Sequence, residues 1–343
     1  LLGGSLTQYE LTGNLSWEAD IWGKIRSRKR AFQASYLQSV AAHKAVKTAL
    51  VSNIASTYFQ LLALDEQRRI TEETISTRSS SLETTEALKE AGILSEVGVK
   101  QTEAQLYSAK ALLVDINLNI KLFENTLSIL LGEAPGEIQR GNMDDQLTDI
   151  APKTGFPVQL LRNRPDVVAA EYGLIQAFEM TNVAKSSFYP SLSITATGGF
   201  QSLELDQLLS MNSLFANVVG SLTQPIFNRR QIRTQYEVSL TDQEKAYLNF
   251  RWAILGASKE VSDALYSYEA ALEKIKIKSK EFEANQSASE YSEELLNNGF
   301  ANYLEVLTAR ENALNSELSL INSELMRLNS IVNLYKALGG GWQ

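Results

Sequence analysis

Hydrophobic and polar residues alternate with a period of two along residues 7–21. Tyr9, Leu11, Leu15, Trp17, Ala19 and Ile21 fall on one face, and Gln8, Glu10, Thr12, Asn14, Ser16, Glu18 and Asp20 on the other. That period predicts a strand with one apolar and one polar side. Ser191 to Phe200 repeats it, with Leu192, Ile194, Ala196 and Phe200 opposite Ser191, Ser193, Thr195 and Thr197, and Leu214 to Phe227 is a weaker third case. Elsewhere the punctuation disappears. No Gly or Pro occurs from Ile25 to Ala91, and only Gly256 interrupts Gln231 to Asn298. Each stretch predicts a helix of about 67 residues, roughly 100 Å at 1.5 Å per residue. Ordinary globular helices are several times shorter.

After each rod comes a short break, Glu90-Ala91-Gly92-Ile93-Leu94-Ser95 in one case and Asn297-Asn298-Gly299-Phe300-Ala301-Asn302 in the other. Gly beside the last helical residue, with Ser or Asn three positions on, reads as a C-cap followed by the N-cap of a returning helix. The returning helices are expected over Glu96 to Leu131 and Tyr303 to Leu338. A further helix is expected over Pro165 to Ser187, since Pro suits the first helical position and Asp166 the positive helix end.

The two halves match one another at a constant offset of 207 positions. Gly13 falls on Gly220, Leu15 on Leu222, Ile25-Arg26 on Ile232-Arg233, Gly92 on Gly299, Val99 on Val306 and Leu131-Gly132 on Leu338-Gly339. A period this long indicates an internal duplication of a whole unit. The expected organisation is a first repeat over 1–132, a loop region over 133–156, a helix and strand hairpin over 157–219, and a second repeat over 220–343. The second repeat is preceded by a helix and a strand that the first lacks, so an upstream stretch of about 75 residues or more is expected before Leu1.

Composition narrows the classes. Cysteine is absent, so no disulfide and no Cys-based metal or redox site exists in the chain. A net charge of −8 and a pI of about 5.0 argue against nucleic acid as a partner. The single histidine, His43, sits mid-rod, and no phosphate loop, His-Glu-x-x-His or nucleophile elbow occurs. The chain is not expected to be an enzyme or to carry a cofactor. No stretch is both long and apolar enough for a transmembrane helix. Membrane spanning would fall to the strands, whose length and alternation suit a transmembrane barrel. A half-buried soluble sheet gives the same pattern. The adjoining rods leave such a sheet no soluble core to cover. Three strands cannot close a barrel, so closure needs several chains and a homo-oligomer.

Four motifs carry a resemblance. Leu15-Ser16-Trp17-Glu18 with Asp20 and Trp22-Gly23, Leu160-Leu161-Arg162-Asn163-Arg164-Pro165-Asp166-Val167, Ala184-Lys185 to Phe188-Tyr189-Pro190-Ser191, and Asn333-Leu334-Tyr335-Lys336-Ala337-Leu338-Gly339-Gly340-Gly341-Trp342 are similar to the TolC-like outer-membrane factors of tripartite efflux pumps. The likeness runs over essentially the whole chain and favours the lipoprotein branch that serves resistance-nodulation-division pumps. It implies a mainly α fold with transmembrane β. In such a homotrimer a twelve-stranded β-barrel in the outer membrane continues into a long periplasmic α-helical barrel. It also implies that the turns Gly92, Ile93, Leu94 and Ser95, and Gly299, Phe300, Ala301 and Asn302, meet a periplasmic adaptor protein.

Just inside those turns the family closes its pore. By that likeness Leu304 and Glu305 are expected at the constriction, while Gly98 and Thr308 stand where most members carry Asp. A ring of Glu305 would attract cations. Basic residues gather at Lys24, Arg26, Arg28, Lys29 and Arg30 and at Arg229, Arg230 and Arg233, although cations at a helix N-terminus oppose its dipole. Outer-membrane lipid phosphates are the natural partner, with Trp17 and Trp22 as interfacial aromatics. The same duct fold also serves type I protein secretion and metal export, and a structural coiled-coil protein is the reading furthest from a channel. Ala, Ser and Thr on the rod faces, as in Ala41-Ala42, Ala45, Ala49 and Ser52, suit shallow packing of many helices around a lumen better than Leu heptads would.

Overall fold

The computed structural model describes residues 7–146 and 163–342. The segment 147–162, which holds much of the loop expected over 133–156 and the start of the Leu160 motif, lies outside the described residues. Strand β1 (Tyr9–Ala19) precedes the long helix α1 (Lys24–Glu90) and the returning helix α2 (Glu96–Leu131). Helix α3 (Pro165–Ser186) leads into strands β2 (Ser191–Ser202) and β3 (Leu214–Thr223). Helices α4 (Gln231–Asn297) and α5 (Tyr303–Ala337) complete the chain. Both α1 and α4 are 67 residues long, and both ends of α4 stand at the repeat offset from those of α1.

The strands form an antiparallel sheet in the order β1-β2-β3. Its register aligns the alternation of one strand with the next. Leu11 lies opposite Phe200, Leu15 opposite Ala196, Trp17 opposite Ile194 and Ala19 opposite Leu192. Leu192 in turn meets Leu222, Ala196 meets Val218 and Phe200 meets Leu214. Opposed residues share a face, so one side of the sheet is continuously apolar. On the other side the Thr197 hydroxyl donates to Asn14 Oδ1 at 2.8 Å. Strand β3 stops at Thr223, short of the Phe227 that the alternation suggested. Pro225 has no N–H to give the ladder, which accounts for the early end.

The chain packs as two compact units. The first holds the sheet, α3, and the starts of α1 and α4. Ser27, Ala31 and Ala34 of α1 and Thr181, Val183 and Ala184 of α3 are buried. Arg30 donates to Glu179 at 2.6 and 3.0 Å, tying α1 to α3, and the Thr181 hydroxyl donates to the Ser239 carbonyl at 3.0 Å, tying α3 to α4.

The second unit holds the rest of α1 and α4 with α2 and α5. Four consecutive residues, Leu61 to Leu64, are buried because α1 is covered from two sides. Leu61 and Leu64 pack with Ile116, Ile120 and Leu127 of α2, and Leu62 and Ala63 with Leu314, Ile321, Leu325 and Leu328 of α5. Buried positions recur at seven-residue intervals, as Thr71, Arg78 and Thr85 on α1 and Leu307, Leu314, Ile321 and Leu328 on α5. That spacing is the seam of left-handed coiled-coil packing. Three of the polar seam residues satisfy themselves: Ser52, Thr71 and Thr102 each donate to the carbonyl four residues back in their own helix. A buried hydroxyl without such a bond would be costly.

Two arginines fix the register of this unit. Buried Arg78 on α1 donates to the Gln105 carbonyl of α2 and to Glu311 of α5, both at 2.6 Å. Arg140, in the loop after α2, pairs with Asp65 of α1 and with buried Glu124 of α2. At the chain end, Arg164 donates to the Ala337 carbonyl at 3.0 Å, and Gly340 lies so close to the Tyr335 ring that a Cβ would sit 2.5 Å from it. The Arg-Pro-Asp and Gly-Gly-Gly-Trp motifs are therefore explained by packing.

Desolvation pushes the Glu124 carboxyl up, but hydrogen bonds from Arg140 and Lys121 outweigh it and hold the group below the usual glutamate range. A depressed folded pKa contributes stability above the unfolded pKa that is lost as pH falls through the folded one. Glu124→Gln should cost about 2 kcal/mol at neutral pH, in line with a buried charge-assisted hydrogen bond. In acid melts the variant should lose less stability than the parent as pH drops through the carboxylate range. Parallel loss in both proteins would show that Glu124 carries none of the acid sensitivity.

Candidate functional site

Both hairpin turns close in the same way. Gly92, with φ of 74°, donates to the Lys89 carbonyl while Ile93 donates to that of Leu88; Gly299, with φ of 75°, donates to Leu296 while Phe300 donates to Leu295. These are Schellman caps, which need a left-handed residue that only Gly adopts without penalty. The returning helices begin differently. Asn302 accepts from the Glu305 N–H at 3.1 Å and its amide reaches the Glu305 carboxylate at 3.3 Å, a reciprocal cap. Ser95 makes no side-chain cap bond, contrary to the role its position suggested. There the turn is closed instead by the Lys89–Glu96 ion pair, and the Lys89 ammonium holds the Glu96 carboxyl below its ordinary range.

The turns present apolar side chains to solvent: Ile93 is 73% and Phe300 82% exposed. Ile93 also lines a groove of about 720 Å³ with Leu88, Leu296, Gly299, Tyr303 and Val306. Arg310 crosses near it, bonding Glu293 at 2.6 Å and the Ser81 hydroxyl. The Tyr303 and Thr102 hydroxyls lie 3.2 Å apart, joining α5 to α2.

Of the residues expected at the constriction, the structure brings three together. Leu304, Glu305 and Thr308 share one exposed face of α5, with Val306 and Leu307 buried behind them. The Thr308 hydroxyl is committed to the Leu304 carbonyl at 2.9 Å. Gly98 is apart from them: it is buried on α2 beneath Leu94, whose side-chain carbons would lie 3.0–3.1 Å from any Cβ placed there.

At the ends of the strands, Asp20 caps α1 by accepting from the Ile25 and Arg26 N–H groups at 2.8 and 2.9 Å and pairs with the Arg26 side chain. Slight desolvation raises this carboxyl, yet those bonds hold it below its ordinary range. The Trp22 ring stacks on Tyr189, with centroids 4.6 Å apart, and its Nε1 donates to the Pro190 carbonyl at 2.9 Å. Trp17 lies on the apolar sheet face, 58% exposed. Arg28 lines a groove with Lys24, while Arg26 lines a different one. Arg229 and Arg230 have φ of 52° and 63°. Arg230 is the counterpart of Gly23 at the repeat offset, and Gly23 has φ of 76°, so the second half makes with arginine the bend that the first makes with glycine.

The sequence model of the outer membrane efflux protein family matches residues 1–133 and 156–340. The chain belongs to that family. Its relatives include the solvent efflux pump outer membrane protein SrpC of Pseudomonas putida, 29% identical over 98% of this chain and 72% of its own. The cation efflux system protein CusC of Escherichia coli O6:H1 strain CFT073 is 28% identical over 100% of this chain and 75% of its own. The crystal structure of the outer membrane protein VceC from Vibrio cholerae superposes with a TM-score of 0.89 at 25% identity, covering 98% of this chain and 80% of VceC. The expected TolC-like resemblance holds, and the efflux protein is a mainly helical channel protein of the outer membrane. Its family is one of transport channels, not of enzymes.

Sequence reasoning missed Arg78, Arg140, Arg310 and the stacking partner Tyr189, because each acts through a contact distant in sequence. Tyr189 alone had a signal, its place in a quoted motif. The two hairpins of the efflux protein should respond differently to loss of their N-caps. Asn302→Ala should cost about 1 kcal/mol, whereas Ser95→Ala should cost almost nothing, measured as denaturant midpoints of the assembled protein. Equal losses would mean that the caps do not differ. Gly92→Ala and Gly299→Ala should each cost about 1–2 kcal/mol through the left-handed backbone.

Proposed function

We propose that the efflux protein is the outer-membrane exit duct of a tripartite efflux pump, passing small molecules passively from the periplasm to the outside. Three copies join their sheets into a twelve-stranded barrel, which four strands per copy would complete, and their helices into the periplasmic α-barrel. The repeats 1–132 and 220–343 supply matching strand, rod and returning helix, with 133–156 as the equatorial loop and 157–219 as the helix and strand hairpin between them. The observation that carries this reading is the sheet: one face apolar across three strands, the other polar along β1 and β2, and strands of 10 to 12 residues.

Trimerisation is supported by apolar residues left exposed at helical spacing. Tyr107, Val114, Leu118, Leu122 and Ile129 are all more than half exposed along one side of α2, and Phe32, Tyr36 and Val46 along α1. Stripes of this kind in a soluble helical wall ask for a neighbouring helix. Exposed Ile93 and Phe300, with the groove beside them, suit the apolar contacts of an adaptor hairpin at Gly92–Ser95 and Gly299–Asn302. A resistance-nodulation-division transporter is the pump partner by resemblance. SrpC and CusC are named for solvent and for cation efflux, and a duct that leaves selection to the pump accommodates both.

In this reading Leu304, Glu305 and Thr308 face the lumen just inside the tips, and Gly98 lets Leu94 close over α2. Trp17, Trp22, Arg26, Arg28, Arg229 and Arg230 ring the membrane boundary. Single-channel recording of the full-length protein in planar bilayers tests the duct and its constriction together. The parent should give small, cation-selective openings; Leu304→Ala should raise conductance, and Glu305→Gln should cut cation preference by about twofold or more as a ring of charge is lost. Failure of a folded trimer to insert would end the duct reading, and unchanged selectivity in Glu305→Gln would remove Glu305 from the constriction.

A further inference from the structure

The two edges of α1 differ at its start. Lys24 reaches across to Glu18 at 2.8 Å, and Glu18 belongs to the polar face of the sheet. Arg26 is two residues on, about 200° around the helix, and Arg30 is one turn below it. The Lys24–Arg28 edge and the Arg26–Arg30 edge therefore lie on opposite sides of α1. The two grooves here obey this division. One is lined by Lys24 and Arg28 with α3 and α4 residues. The other, of about 430 Å³, is lined by Trp22, Arg26, Arg30, Asn182, Lys185 and Tyr189.

That second groove has a charge balance of its own. Arg26 is paired with Asp20, and Arg30 with buried Glu179. Exposed Lys185 has no acidic partner among the described residues. Three cations thus meet two carboxylates, leaving one positive charge, the complement of one phosphodiester. The stacked Trp22 and Tyr189 rings form an apolar wall, half exposed, with the indole N–H already spent on Pro190. Three residues before Trp22 and three after Tyr189, Ala19 and Leu192 pair as the first rung of the apolar sheet face, followed by Trp17 and Ile194. A cation next to stacked aromatics at the edge of an apolar surface is the arrangement that holds an amphiphile at a membrane interface.

We propose that this groove binds the phosphate of one anionic glycerophospholipid of the periplasmic leaflet, with Lys185 as the contacting cation and the acyl chains lying along Trp17, Leu192 and Ile194. The inference rests on the outer-membrane duct reading and adds a defined lipid site to it. Free phosphate shares the headgroup chemistry but would gain nothing from the aromatic wall and the sheet.

Native mass spectrometry of the full-length trimer titrated with phosphatidylglycerol tests the site, with planar-bilayer insertion of the same preparation as the control for the duct. Lys185→Gln should weaken phosphatidylglycerol retention by about fivefold, the equivalent of the roughly 1 kcal/mol that one basic residue contributes at an anionic surface. Lys185→Glu should weaken it further. Lys276→Gln, the loss of an exposed α4 lysine, should leave retention unchanged. Millimolar inorganic phosphate should fail to displace the lipid. Equal retention in the Lys185 and Lys276 variants, or displacement of the lipid by phosphate alone, would overturn the lipid site while normal insertion left the duct standing. A parent that neither inserts nor retains lipid would overturn both.

Discussion

Hydrocarbon offers a backbone N–H no partner, and each unsatisfied group costs several kcal/mol there. Among the described residues, β1 and β3 each pair on one side only, through β2. A sheet with that pattern of faces and two open edges is an unfinished object in an outer membrane. Whatever closes it must supply strands at both edges. The same unfinished quality reappears in the helices as exposed apolar stripes on α1 and α2. Strand edges and helix stripes make the same demand, and in the duct we propose further copies of the chain meet both at once.

The rods solve a different problem, which is to pack long helices side by side through seams that mix Leu and Ile with small hydroxyl residues. Small seam residues let the backbones approach, and their hydroxyls bond to their own helix, so no partner is needed across the seam. Such a seam has little register of its own. Register comes from Arg30 with Glu179, Arg78 with Glu311 and Gln105, and Arg140 with Asp65 and Glu124. Buried ion pairs add little net stability but cost much when one partner is lost. They therefore act mainly by making alternative registers expensive.

Much of this was legible in the sequence, for definite reasons. A period of two marks β1 and β2 because one face of each differs in chemistry from the other. The rods are legible because nothing in them breaks a helix, and Gly92 and Gly299 stand where left-handed caps are required. β3 was overextended to Phe227 because apolar residues continue past Pro225, and alternation does not register a missing N–H. Ser95 and Asn302 occupy equivalent positions, yet only Asn302 caps, since a neighbouring ion pair closes the first turn. The basic cluster of Lys24 to Arg30 read as one patch, whereas helical geometry divides it between two sides of α1. Gly98 was grouped with Leu304, Glu305 and Thr308 by resemblance, and the structure shows it on α2 beneath Leu94, a packing role that the resemblance did not signal.

The central claim is that the apolar sheet face meets lipid and the polar face meets water. The chain has no cysteine, so single cysteines can be placed at each position from Leu11 to Trp17 of the full-length protein in bilayers without further change. Spin labels at these sites, challenged with oxygen dissolved in lipid and with a water-soluble relaxation agent, report which solvent each one meets. The account predicts lipid exposure at residues 11, 13, 15 and 17 and water exposure at 12, 14 and 16. Water access at every position, or no alternation between the two sets, would contradict it.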